Sequence, residues 1–182
     1  MDLGSNPRLV KLSESFHIKP FCSSNPAIDS HLFNSAKIYQ QHLLSVHYVL
    51  ENDIETIAFY ALSNDLLQID SGSSSQRTFR GFIKKNISDQ IKYELLNWPT
   101  FPAVKLDFIA VNTKYQRSGI GGKLLEAIIG NFRENNKTGC LFLTASVLNN
   151  LATVNFYKKN NFVFLTSQDQ TDESRIMYRS IL

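Results

Sequence analysis

The residues richest in chemistry lie side by side, at Gln116-Arg117-Ser118-Gly119-Ile120-Gly121-Gly122-Lys123. They follow the apolar run Val104–Val111 through a short polar turn. Behind them Leu124, Leu125, Ile128, Ile129 and Phe132 fall on one stripe of a helix opening at Gly119 or Ile120. The first N–H groups of such a helix have no acceptor within it, and the macrodipole makes that end positive. Glycine at 119, 121 and 122 removes Cβ atoms that would keep a phosphate away from those donors. The stretch reads as a phosphate cradle. Two common phosphate patterns do not fit it. A P-loop requires glycine at 117 and Ser or Thr at 124, and a dinucleotide fingerprint requires glycine at 124; Arg117 and Leu124 stand there instead.

The elements that must position this cradle are readable on both sides. Residues 1–14 read as a loose N-terminus leading into a short strand near Leu9–Leu12. Ser24-Asn25-Pro26 is a helix start, and Ile28, Leu32, Ala36 and Tyr39 keep one face apolar to about Leu44. Val46–Leu50 and Thr56–Leu62 read as an antiparallel hairpin. The pattern weakens over 63–103, expected as a variable insertion with a Ser71–Ser75 loop and a helix near Ile87–Asn97 capped by Ser88. A strand at Leu141–Val147, a helix over Asn149–Asn160 and a closing hairpin from Phe162–Thr166 and Arg175–Leu182 complete the chain. The expected fold class is α/β (α+β), a mixed sheet flanked by helices.

Composition narrows the field further. The chain has 182 residues, 43% hydrophobic and 19% charged, which sets aside disordered and fibrous classes and suits one domain over 1–182. No apolar run nears the ~20 residues of a membrane span, and the N-terminus lacks a secretory layout. Cys22 and Cys140 make no disulfide framework, and no Cys/His cluster has metal-ligand spacing, so no metal and a cytoplasmic setting are expected. A net charge of +3 is too small to signify nucleic acid by itself.

The segment Gln116-Arg-Ser-Gly119-Ile-Gly121 resembles the Q/R-x-x-G-x-G/A loop of the GNAT N-acetyltransferases. A second stretch, Asn150-Leu-Ala-Thr153-Val-Asn-Phe156-Tyr157 followed by Asn161-Phe162, is similar to that family's N-x-x-A-x-x-F/L-Y-x-x-x-G-F helix. Thr153 replaces alanine and Asn161 replaces glycine; asparagine accepts the left-handed, helix-ending conformation almost as glycine does. The resemblance runs from about Phe16 to Leu182. In the front half, NPAIDSHL, VHYVLEND and IAFYALSND look like the branch that includes the acetyltransferase toxins of bacterial toxin–antitoxin pairs and their relatives. Those toxins usually carry a G-R-L-A-V strand, where this chain has Asp107-Phe108-Ile109-Ala110-Val111.

The resemblance implies a GNAT acyl-CoA N-acyltransferase fold, with a mostly antiparallel sheet and acetyl-CoA as co-substrate. It implies that the loop from Gln116 to Lys123 grips the pyrophosphate and that the backbone of Ile109 and Val111 pairs with the pantetheine arm. It further implies that the Ile109 N–H polarises the acetyl carbonyl, Asn150 bonds the arm and Tyr157 faces the thioester sulfur. On that reading a primary amine attacks the thioester directly. Tyr157 is the candidate acid for the departing thiolate, and Asp107 the candidate base, directly or through water. Two other readings stay open: a toxin acetylating aminoacyl-tRNA, with an antitoxin partner, and a CoA-binding regulator without catalysis. A homodimer is compatible with each. His17, His31, His42 and His47 form no spaced motif and read as surface or packing residues. Arg77, Arg80, Lys84 and Lys85 read as a solvated face beside Phe79 and Phe82, which have the spacing of a helix packing on the core.

Overall fold

Short runs of β-branched and aromatic residues alternate with proline-, asparagine- and serine-led helix starts along the chain, and each becomes the element its chemistry favours. The structure, a computed structural model, describes residues 3–69, 74–135 and 138–182. The elements run β1 (Arg8–Lys11), α1 (Pro26–Ser30), α2 (Ala36–Gln41), β2 (Val46–Glu51), β3 (Thr56–Gln68), α3 (Ser74–Asn86) and α4 (Asp89–Leu95). Then follow β4 (Thr100–Val111), α5 (Ile120–Glu134), β5 (Phe142–Leu148), α6 (Leu151–Lys159), β6 (Val163–Phe164) and β7 (Ser174–Ser180). The seven strands lie in the order β1-β2-β3-β4-β5-β7-β6. Pairings β1/β2, β2/β3, β5/β7 and β6/β7 are antiparallel.

The chain forms two compact units, Met1–Asn64 with Leu106–Ile128, and Asp65–Lys105 with Ile129–Leu182. In the first, Leu12, Phe21, Leu32, Ala36, Val49, Phe59 and Ala110 make a continuous core, and Phe21 meets Phe59 edge to face at 5.5 Å. The β2–β3 turn is closed by Asn52, whose Oδ1 accepts from the amides of Ile54 and Glu55. Asn25 caps α1 through the amides of Ala27 and Ile28, ahead of Pro26 at the helix start. One continuous helix to Leu44 is expected from the apolar spacing, but the structure inserts a π-helical turn, His31–Ser35, between α1 and α2. The chain then leaves α2 through Leu43 in the left-handed region, φ +58°.

In the second unit Leu67, Ile69, Phe79, Ile83, Leu95, Phe101, Ala103, Phe142 and Tyr178 form the core. Phe79 and Phe101 sit 4.4 Å apart, centroid to centroid. Residues 63–103, expected as a variable insertion, thus supply seven of those nine core side chains. Their weak pattern has a physical cause. The apolar residues of α3 are interleaved with Arg80, Lys84 and Lys85, which stay exposed while Phe79 and Ile83 turn inward. The expected Ser71–Ser75 loop lies outside the described residues as far as 73, and Ser74 already opens α3. Ser88 caps α4 as its position suggests, by accepting from the Gln90 amide. The closing hairpin is present, with β6 reduced to two residues.

Candidate functional site

In the first unit the turn between β4 and α5 is held from several directions. Buried Asn112 donates through its backbone N–H to the carbonyl of Ile57 (2.8 Å) and through Nδ2 to that of Thr56 (3.0 Å). Thr113 N–H reaches the carbonyl of Cys22 at 2.8 Å, and Gln116 Nε2 donates to the carbonyls of Ser23 (2.9 Å) and Val111 (3.0 Å). The Ser118 hydroxyl donates back to the Tyr115 carbonyl. Lys114 and Tyr115 converge on Glu55, at 2.6 and 3.0 Å. The Lys114 hydrogen bond holds that carboxyl below its usual range.

On this frame the backbone curls. Arg117 has φ +59° and Gly119 φ +85°, two left-handed residues flanking Ser118. For Arg117 this conformation is a strained choice that the surrounding bonds sustain. Such turns gather successive N–H groups into a concave anion site. The Lys123 amide donates to the Gly119 carbonyl at 3.0 Å, which closes the first turn of α5. The amides of Ile120, Gly121 and Gly122 precede that bond and have no acceptor within the helix. A turn of this shape is able to receive a phosphate or pyrophosphate.

Strand β4 opens on both faces at one place. Asp107, Phe108 and Ile109 are each partly exposed, between buried Leu106 and buried Ala110. Successive strand side chains point to opposite faces, so over these three residues partial exposure reaches both faces of the strand. The Phe108 ring stacks on His31 at 3.9 Å and 16°. His31 Nε2 lies 2.9 Å from Nε2 of His47, whose ring is fully buried. Burial lowers the pKa of both rings, that of His47 to about 4, while the charge of Asp107 pulls His31 the other way. Sequence reading missed this pair. Sixteen positions separate the two histidines, and no local periodicity links them.

Asn150 and Tyr157 belong to the second unit. Asn150 caps α6, its Oδ1 accepting from the Thr153 amide at 2.9 Å, so its Nδ2 is the group left to donate outward. Tyr157 is buried between the rings of Phe156 and Phe162, both edge to face at 5.2 and 5.0 Å. Burial raises its phenol well above the ordinary value, so it stays protonated through the physiological range. Asn161, in the place of the family's glycine, adopts φ +63°, and the Phe162 amide returns to the Tyr157 carbonyl to end the helix. Cys140 is half-buried, and desolvation pushes its thiol up to about 11, an inert setting.

Residues 76–164 match the family model of the acetyltransferase (GNAT) domain. Solved structures of similar fold extend over nearly the whole chain. A Tyr-to-Phe variant of the AtaT toxin gives a TM-score of 0.74 at 14% identity, covering 100% of this chain and 94% of the other. AtaTR bound with acetyl-CoA gives 0.71 at 15%, covering 96% and 94%. A Tyr-to-Phe variant of KacT gives 0.68 at 16%, covering 95% of each. No curated protein matches. The match takes in α5, β5 and α6, and the fold of the chain is the one seen in these structures.

Proposed function

We propose that this protein transfers the acetyl group of acetyl-CoA to a primary amine. The observation that carries the reading is the pair of left-handed residues, Arg117 and Gly119, curled before the open first turn of α5. In this reading the amides from Arg117 to Gly122 hold the pyrophosphate, and the side chains of Arg117 and Lys123 add positive charge at the same helix end. Gln116 holds the loop in shape. The backbone of Ile109 and Val111 pairs with the pantetheine arm where β4 is partly exposed, and Nδ2 of Asn150 donates to it.

The acceptor nitrogen attacks the thioester carbon; the C–N bond forms as the C–S bond breaks. Ile109 N–H stabilises the developing oxyanion, a donor worth about 3–4 kcal/mol. Tyr157, protonated through burial, gives its proton to the coenzyme thiolate. Attack also releases a proton from the amine, and Asp107, the carboxylate nearest Ile109 in sequence, is one candidate to receive it, directly or through water. Holding both reactants together contributes roughly 7–11 kcal/mol, so positioning outweighs any single acid or base.

Titration calorimetry with acetyl-CoA tests the reading. Binding is expected for the native chain, with a loss of about 100-fold in Gly121→Glu, which sets a carboxylate among the phosphate donors. Absence of heat with the native chain rejects the proposal. A second reading is favoured by the whole-length likeness to AtaT and KacT, one AtaT structure being bound to the C-terminus of the antitoxin AtaR. The chain is then a toxin whose acceptor is the amino group of aminoacyl-tRNA. Induced expression arrests growth and leaves acetyl-blocked charged tRNA if that is so; normal growth and unmodified tRNA exclude it.

A further inference from the structure

The acyl-transfer reading leaves the proton of the acceptor amine without a defined destination. We propose that His31 takes it at Nδ1, with His47 as the positioning residue that receives the Nε2–H of His31. The inference rests on the acetyl-transfer reading and assigns its missing base.

Three features of the first unit converge on His31. It opens the π-helical turn His31–Ser35, which interrupts the regular helix between α1 and α2. Single π turns of this kind re-aim side chains and recur at functional sites. The turn lays the imidazole flat on Phe108, at 3.9 Å, and Phe108 precedes Ile109, the residue assigned to the acetyl carbonyl. Tyr39 closes the other edge, its ring 5.1 Å away and nearly perpendicular. His31 is only partly buried, so the ring lies between the core and solvent.

His47 completes the arrangement. Its Nε2 lies 2.9 Å from Nε2 of His31, and its Nδ1 is buried with no hydrogen-bond partner among the described residues. One proton can occupy the Nε2–Nε2 line. Either His47 donates, and His31 then carries its other proton on Nδ1 and cannot accept there, or His31 donates and its Nδ1 lone pair is free to accept. Only the second arrangement survives protonation of His31, because an imidazolium donates through both nitrogens. A charge-assisted bond from His31 to His47 then forms, and these are stronger than neutral ones. Burial disfavours the imidazolium of His31 and the carboxylate of Asp107 from β4 favours it, while His47 faces the ring from β2. Asp107 therefore serves as counter-charge rather than as the atom that accepts the proton.

The step balances. The amine lone pair forms the C–N bond, the C–S pair leaves on sulfur, the amine proton goes to His31 Nδ1, and the thiolate takes the proton of Tyr157. Exchange with solvent returns both residues to their starting forms.

The test uses the full chain, acetyl-CoA and the amine that it acetylates best in a panel of aminoacyl amides. His31→Ala is expected to lower kcat about 100-fold or more while leaving acetyl-CoA binding unchanged, and added imidazole is expected to restore turnover along imidazole's own titration. His47→Gln, which keeps a polar partner, is expected to shift the acid limb of the kcat/KM profile without abolishing it. Nitrogen-15 spectra at pH 8 should show His31 Nδ1 unprotonated and His47 Nδ1 protonated. Unaltered turnover in His31→Ala, a drop that imidazole does not rescue, or a protonated His31 Nδ1 each overturns the assignment while acetyl-CoA binding keeps the parent reading intact. A native chain that binds no acetyl-CoA, or acetylates none of the amides, removes the base role as well.

Discussion

The side-chain amide of Gln116 donates to the backbone carbonyl of Ser23, 93 positions earlier, at 2.9 Å. A single bond thereby ties the β4–α5 turn to the segment that leads into α1, and a second from the same nitrogen ties it to Val111 at 3.0 Å. The side chain shapes the turn rather than reaching for a ligand. Gln116→Ala is expected to weaken acetyl-CoA binding about 10-fold through loss of loop order, with little change in thermal midpoint. Calorimetry at several temperatures checks this: the weakening should appear as a less favourable entropy, and unaltered affinity would show that the loop stands without its anchor.

Tyr157 is buried between Phe156 and Phe162, with a phenol that does not ionise near neutrality. Tyr157→Phe keeps the ring and removes only the hydroxyl. Turnover should fall by about 100-fold with acetyl-CoA affinity changed by less than threefold, as for loss of a general acid. Equal losses in both would mark the tyrosine as a binding group instead.

Stability should decline in mild acid, with a sign set by His47. Its pKa is near 6.5 in the unfolded chain and about 4 in the folded one, first because burial disfavours the imidazolium and second because His31 lies against it. Between those values the unfolded state binds more protons, so this contribution is complete above pH 6.5 and lost as pH falls toward 4. With allowance for partial screening it is worth on the order of 2 kcal/mol, roughly 4–8 °C in Tm for a chain of this size. Melting curves from pH 7.5 to 4.5 measure it. In His47→Leu the slope should flatten; a slope that stays as steep assigns the effect to other groups.

Phe79 is 3% exposed and touches Phe101, Phe142 and Phe82. Phe79→Ala should lower unfolding free energy by about 3–5 kcal/mol, the usual range for a buried aromatic. Denaturant titration distinguishes this from the small effect expected if 63–103 were a dispensable surface insertion.

Sequence alone determined most of the secondary structure and the place of the glycine-rich turn before α5, because each depends on local chemistry. Glycines at 119, 121 and 122 before an apolar stripe, Asn25 and Ser88 as caps, and Asn161 at a helix end specify their conformations within a few residues. Tertiary structure alone decided the rest. Residues 63–103 became core because Phe79, Ile83 and Phe101 found Phe142 and Tyr178 far along the chain, a burial that no local period among lysines and arginines announces. Likewise His31 and His47 read as unrelated packing residues until a π turn and a strand set their nitrogens 2.9 Å apart. The physical reason is one of range: caps and turns are settled by neighbours in sequence, whereas proton-sharing and core burial depend on groups that only folding brings within contact distance.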